Sequence, residues 1–68
     1  MLKISLKAAR VNAELSQKDA AKTLKVTSKT LHSWENGDSS PSAKYIDAIC
    51  DLYKVSYDNI KFKPNNSL

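Results

Sequence analysis

Apolar residues in this chain recur at intervals of three and four, with polar residues between them. That is the spacing of one buried helix face. The period is clearest at Ile46, Ile49, Cys50 and Tyr53, and predicts a helix opened by Ser42 and running to about Lys54. Leu6, Ala9 and Ala13, with Val11 beside them and Lys3, Lys7 and Arg10 between, predict a first helix over 3–15. Two shorter patterns lie between these. Ala20, Ala21 and Leu24 predict a helix over 17–24, with Ser16 as N-cap, its hydroxyl accepting from a free first-turn amide. Asp19, three residues after Ser16, makes a weak version of the capping box. Leu31 and Trp34, three apart on one face, predict a helix over 28–36, capped by Thr27 and stopped by Asn36-Gly37. Gly37 to Pro41 is turn chemistry. Ser56 is placed to cap a last short turn or helix over 57–60, and Lys61 to Leu68 reads as a frayed tail. No convincing strand pattern exists. Asn59–Lys63 alternates briefly, a run that could pair with its own copy in a dimer but is too short to establish it.

The expected architecture is therefore all-α: one domain over 1–62 and a flexible C-terminal tail over 63–68. Sixty-eight residues build only a small core, near the size at which a single core supplies a few kcal/mol. A hydrophobic content of 41% argues against disorder. One cysteine cannot close an internal disulfide, so packing, self-association or both must hold the fold. No apolar run is long enough to cross a membrane and no signal peptide is present, which points to the cytoplasm. The net charge of +4 suits a polyanionic partner without proving one.

Ser16 to Gly37 is the most informative stretch. Two short amphipathic helices this close in sequence have the geometry of a helix-turn-helix, which places its second helix in the DNA major groove. The run LSQKDAAKTLKVTSKTLHSWENG, the Pro41-Ser42 opening of the next helix and VSYDNI near the end resemble the lambda-repressor and Cro-like, xenobiotic-response-element type of helix-turn-helix family. The resemblance covers about Leu6 to Ile60, with Gln17, Ala21, Val26, Leu31, Trp34, Glu35, Asn36 and Gly37 at the family's spacing. It implies a compact five-helix domain with the helix-turn-helix at helices two and three. It also implies a sequence-specific transcriptional regulator of phage or prophage type, usually a symmetric dimer on an operator. The family often has glycine where this chain has Lys25, so a left-handed, solvated Lys25 is expected there, at a cost of roughly 1 kcal/mol.

The third helix would turn Leu31 and Trp34 inward and present Ser28, Lys29, His32 and Ser33, with Thr27 at its start, to base edges in the groove. Lys29 can donate to guanine O6 and N7; the serines are short and carry less information; the Thr27 methyl can touch a thymine methyl. The resemblance makes Gln17 a phosphate contact at a helix N-terminus. Asn36 is a second candidate, and Lys7, Lys25 and Lys44 are long-reach ones. It also implies that Arg10 pairs with Glu35, tying the first helix to the end of the third, so both are left out of the contact set. Trp34 and Cys50 read as core. One histidine and one cysteine cannot build a zinc site, no nucleophilic triad is spaced along the chain, and a single glycine makes no phosphate-binding loop. No enzyme, cofactor, metal or small-molecule ligand is expected. The expected partners are double-stranded DNA and a second copy of the chain, joined through Tyr57, Ile60 and Phe62. The competing class is a protein-interaction module on the same fold, such as an antitoxin or anti-repressor. Large exposed apolar groups on the third helix would favour it, and none is found there.

Overall fold

The structure is a computed structural model and describes residues 3–62. In chain order it contains β1 (Ile4–Ser5), α1 (Leu6–Asn12), α2 (Gln17–Leu24), α3 (Ser28–Asn36) and α4 (Ala43–Tyr53). A 3-10 turn (Tyr57–Asn59) and β2 (Ile60–Lys61) follow. Among the described residues the domain is mostly helical, with four α-helices and a 3-10 turn; the fifth helix expected is not among them. Residues 63–68, expected to be a flexible tail, lie outside the described residues.

The caps explain where helices begin. Ser16 Oγ accepts from the Asp19 amide at 3.0 Å, and Thr27 Oγ1 from the Thr30 amide at 3.0 Å. Ser42 and Ser56 stand at the expected cap positions but make no side-chain cap hydrogen bond. The first helix is shorter than its apolar period suggested. Ser5, not Lys3, opens it, its Oγ accepting from the Ala8 amide at 3.0 Å, and Ile4 before it is extended.

The α-helices stop by one recurring device. Glu14, Lys25, Gly37 and Lys54 all have φ between 58° and 84°. After each, the next amide reaches back five residues: Leu15 to Arg10 O, Val26 to Ala21 O, Asp38 to Ser33 O and Val55 to Cys50 O. This is the Schellman arrangement, which satisfies carbonyls left over at the helix end. A left-handed residue with a Cβ costs ~1–2 kcal/mol. At the three non-glycine sites the following Leu15, Val26 and Val55 pack against the core, and their burial offsets that cost. Lys25 is thus left-handed and exposed, as expected.

Leu6, Ala9, Ala20, Ala21, Leu24, Leu31, Trp34, Ile49, Tyr53 and Ile60 form the buried core. Trp34 lies against Tyr45, with ring centroids 5.3 Å apart. Cys50 is half-buried beside this cluster, and burial, then the Asp47 carboxylate, push its thiol above the ordinary value. Two expectations at the C-terminal end are corrected. Within the alternating run, Ile60–Lys61 form a strand of their own chain's sheet: β2 pairs in parallel with β1, in register Ile4 with Ile60 and Ser5 with Lys61. Lys61 is therefore a strand residue, where a frayed tail was expected. Ile60 is 2% exposed, so it closes the monomer core and is not available to a dimer surface. The sequence pattern missed this pairing because a two-residue strand is too short to show a period.

Candidate nucleic-acid interface

The buried face of α3 holds Leu31, Trp34 and Glu35, and its α2 neighbour contributes Ala20, Ala21 and Leu24. The small alanines let the two helices come together across the Lys25–Thr27 turn, which is the helix-turn-helix geometry. On the other face Ser28, Lys29, His32 and Asn36 are exposed, with Thr27 exposed at the start. Ser33 is half-buried, its hydroxyl 2.8 Å from that of Ser39 in the following loop.

Beside this face lies an open concavity of about 580 Å³, lined by Ser5, Lys7, Arg10, Ser16, Gln17, His32, Glu35 and Asn36. It joins the N-terminal ends of α1 and α2 to the C-terminal half of α3. Its floor is a buried polar network. Arg10 Nε donates to Glu35 Oε2 at 2.7 Å and Nη2 reaches Oε1 at 3.4 Å. Arg10 Nη1 donates to the Leu15 carbonyl at 2.8 Å, and Gln17 Nε2 donates to Glu35 Oε1 at 3.1 Å. The expected Arg10–Glu35 pair is present, with side chains 9% and 3% exposed. A two-point guanidinium–carboxylate contact fixes orientation as well as distance. One carboxylate thereby ties α1, the start of α2 and α3 together.

The other sequence candidates divide by position. Gln17 is half-buried, with one amide hydrogen committed to Glu35; its second hydrogen is the group left for a phosphate. Asn36 Nδ2 lies 2.9 Å from His32 Nε2. Lys7 is exposed on the concavity wall, and Lys25 is exposed in the turn between α2 and α3. Lys44 is exposed in the first turn of α4, its Nζ 5.5 Å from the Tyr45 ring centre. The structure thus brings Lys7, Gln17, His32 and Asn36 to one concavity. Lys44 and Lys25 lie outside it.

Sequence reasoning missed Ser5, which caps α1 and lines the concavity, and the Gln17–Glu35 and His32–Asn36 contacts. The i, i+4 spacing of His32 and Asn36 is a signal that could have revealed that pair. Tyr53 was also missed as a polar group. Its ring is core, yet its hydroxyl is buried without a hydrogen-bond partner among the described residues. Burial, then the Glu35 charge, push this phenol up to about 12, against a smaller opposing pull from Arg10.

Among the described residues no cluster of three or more His, Cys, Asp or Glu is placed to hold a metal ion. No described helix is long and apolar enough to cross a membrane. Two helices joined by a tight left-handed turn, the second with a polar outer face, define a helix-turn-helix domain. The chain belongs to the helix-turn-helix family, whose model matches residues 6–60; this is a non-enzymatic, DNA-binding class of domain. It is also similar to antitoxin PezA of Streptococcus pneumoniae serotype 4 (strain ATCC BAA-334 / TIGR4). The two are 35% identical over 60 residues, covering 88% of this chain and 38% of that protein. The chain thus spans well under half the length of that relative.

Proposed function

We propose that this domain is a sequence-specific transcriptional regulator, repressor- or Cro-like in action, that inserts α3 into the DNA major groove. The observation that carries the reading is the two-sided character of α3. Leu31 and Trp34 are buried, while Ser28, Lys29 and His32 stand exposed on the opposite face, polar and basic, with no large apolar group among them. In this reading Thr27, Ser28, Lys29, His32 and Ser33 face base edges. Gln17, Asn36, Lys7, Lys25 and Lys44 hold phosphates, which set register without reading sequence. The start of α2 suits that role because unpaired helix amides and the helix dipole favour an anion.

The proposed form on DNA is a homodimer. Tyr57, 59% exposed, stacks on half-buried Phe62 with centroids 5.8 Å apart, and this aromatic pair is the apolar surface that supports a contact between copies. A second reading is favoured by one observation, the antitoxin name of the relative that this chain matches over 38% of its length. In that reading the same fold serves as a protein-interaction module, antitoxin- or anti-repressor-like, whose main partner is a protein.

Selection of random duplexes by the purified protein at two salt concentrations tests both readings. An enriched inverted repeat, with half-sites about one helical turn apart, is the expected result. Salt-sensitive binding without any enriched sequence would leave only the basic charge at work and move the protein-partner reading to the front.

A further inference from the structure

Asn36 Nδ2 and His32 Nε2 face each other at 2.9 Å, one helical turn apart on the exposed side of α3. The amide nitrogen carries hydrogens and can only donate, so the ring nitrogen facing it must accept. A neutral imidazole has one accepting and one protonated nitrogen. In a neutral ring this arrangement puts the proton on Nδ1 and commits the accepting Nε2 to Asn36.

We propose that Asn36 is a positioning residue that fixes His32 as a hydrogen-bond donor, and so makes His32 select a base that offers an acceptor. The inference rests on the reading of α3 as the groove-entering helix. Guanine presents O6 and N7 in the major groove, adenine N7 and thymine O4, all acceptors. Cytosine presents there only its N4 amino donor. A ring whose acceptor is occupied and whose free nitrogen is protonated has nothing to offer that amino group. The pair thus excludes cytosine at one position of the site. The second amide hydrogen of Asn36 is left for the proposed phosphate contact, which would change affinity alike for every sequence and so does not produce this exclusion.

Two measurements on the full chain test this. Nitrogen–proton correlation NMR of the DNA-free protein, above about pH 8 where an imidazole is neutral, reads the tautomer directly. The Nδ1–H form is expected in the wild type. In Asn36→Asp the carboxylate can only accept, so the proton should move to Nε2. Selection from random duplexes then compares the wild type, Asn36→Asp and His32→Ala. The wild type should deplete cytosine at one position by on the order of fivefold to tenfold. Both variants should lose that depletion and keep the rest of the motif, whatever their overall affinity. An Nε2–H tautomer in the wild type would overturn the proposal. So would an enriched motif that Asn36→Asp and His32→Ala leave unchanged. An Nδ1–H tautomer with no enriched motif in the wild type would instead show that the DNA-reading function has failed, and the base selection falls with it.

Discussion

Two polar networks share one concavity and follow opposite rules. Arg10, Glu35 and Gln17 form the buried one, partly carried on α3; His32 and Asn36 form the exposed one, wholly on α3. Glu35 and Asn36 are adjacent in sequence, yet a rotation of about 100° around the helix sends one inward and the other outward. Burial makes the first network obligatory, because a charge stranded out of water costs several kcal/mol. Exposure leaves the second replaceable by water, so it contributes little to stability and can be given over to recognition. The difference teaches that hydrogen-bond geometry does not by itself separate structure from function here. Solvent access does.

The largest test removes one member of the buried network. Glu35→Ala should cost ~3–5 kcal/mol in urea denaturation, enough to leave a domain of this size largely unfolded. Arg10→Met with Glu35→Leu should recover much of that loss, since a packed apolar pair carries no stranded charge. Asn36→Ala should change stability by less than about 0.5 kcal/mol. If Glu35→Ala proved equally mild, the contrast between the two networks would be gone.

Next come effects on binding. Lys29→Ala should weaken specific binding by ~1–3 kcal/mol and scrambled DNA much less, measured by fluorescence anisotropy on both duplexes. Gln17→Ala should weaken the two alike, as loss of a phosphate contact does. Equal losses on both duplexes for Lys29→Ala would remove its base-reading role.

The helix starts offer a contrast of about 1 kcal/mol. Ser16→Ala and Thr27→Ala should each lose about that much in thermal or urea unfolding, because each hydroxyl accepts a first-turn amide. Ser42→Ala should lose little, since its side chain makes no cap hydrogen bond.

The smallest effect at neutral pH belongs to Tyr53. Tyr53→Phe removes a buried hydroxyl that has no partner among the described residues and should leave stability unchanged or raise it by up to about 1 kcal/mol. Its sharper signature is at high pH. The phenol's folded value of about 12 lies above its ordinary 10.0, so in that interval the unfolded chain binds fewer protons and stability falls as pH rises. The wild type should lose stability relative to Tyr53→Phe between pH 10 and 12, and a constant difference across that range would contradict the upward shift.

How much could be read in advance follows the range of each interaction. The helix-turn-helix was legible because its caps and apolar spacing are set by residues within four or five positions of one another; the left-handed Lys25 was expected from the resemblance. Ser16, Thr27, Lys25 and Gly37 each act on an amide or carbonyl nearby. The exposed candidates on α3 were legible for the same reason, since helical rotation turns known core positions into known surface positions. The Arg10–Glu35 pair spans 25 positions and came from resemblance, not from any local pattern.

What the amino-acid sequence determined by itself is thus the set of helices, most of their ends, the faces of α3 and the balance of charge. Local sterics and hydrogen bonding decide those before the chain is packed. Tertiary structure alone decided the rest. It moved the start of the first helix to Leu6 by drawing Ile4 and Ser5 into a parallel pair with Ile60 and Lys61. It took Ile60 from a surface role into the core, committed one Gln17 hydrogen to Glu35, and buried the Tyr53 hydroxyl without a partner among the described residues. Each outcome joins residues distant in sequence, and their pairing depends on which side chains lose water together when the two ends of the chain meet.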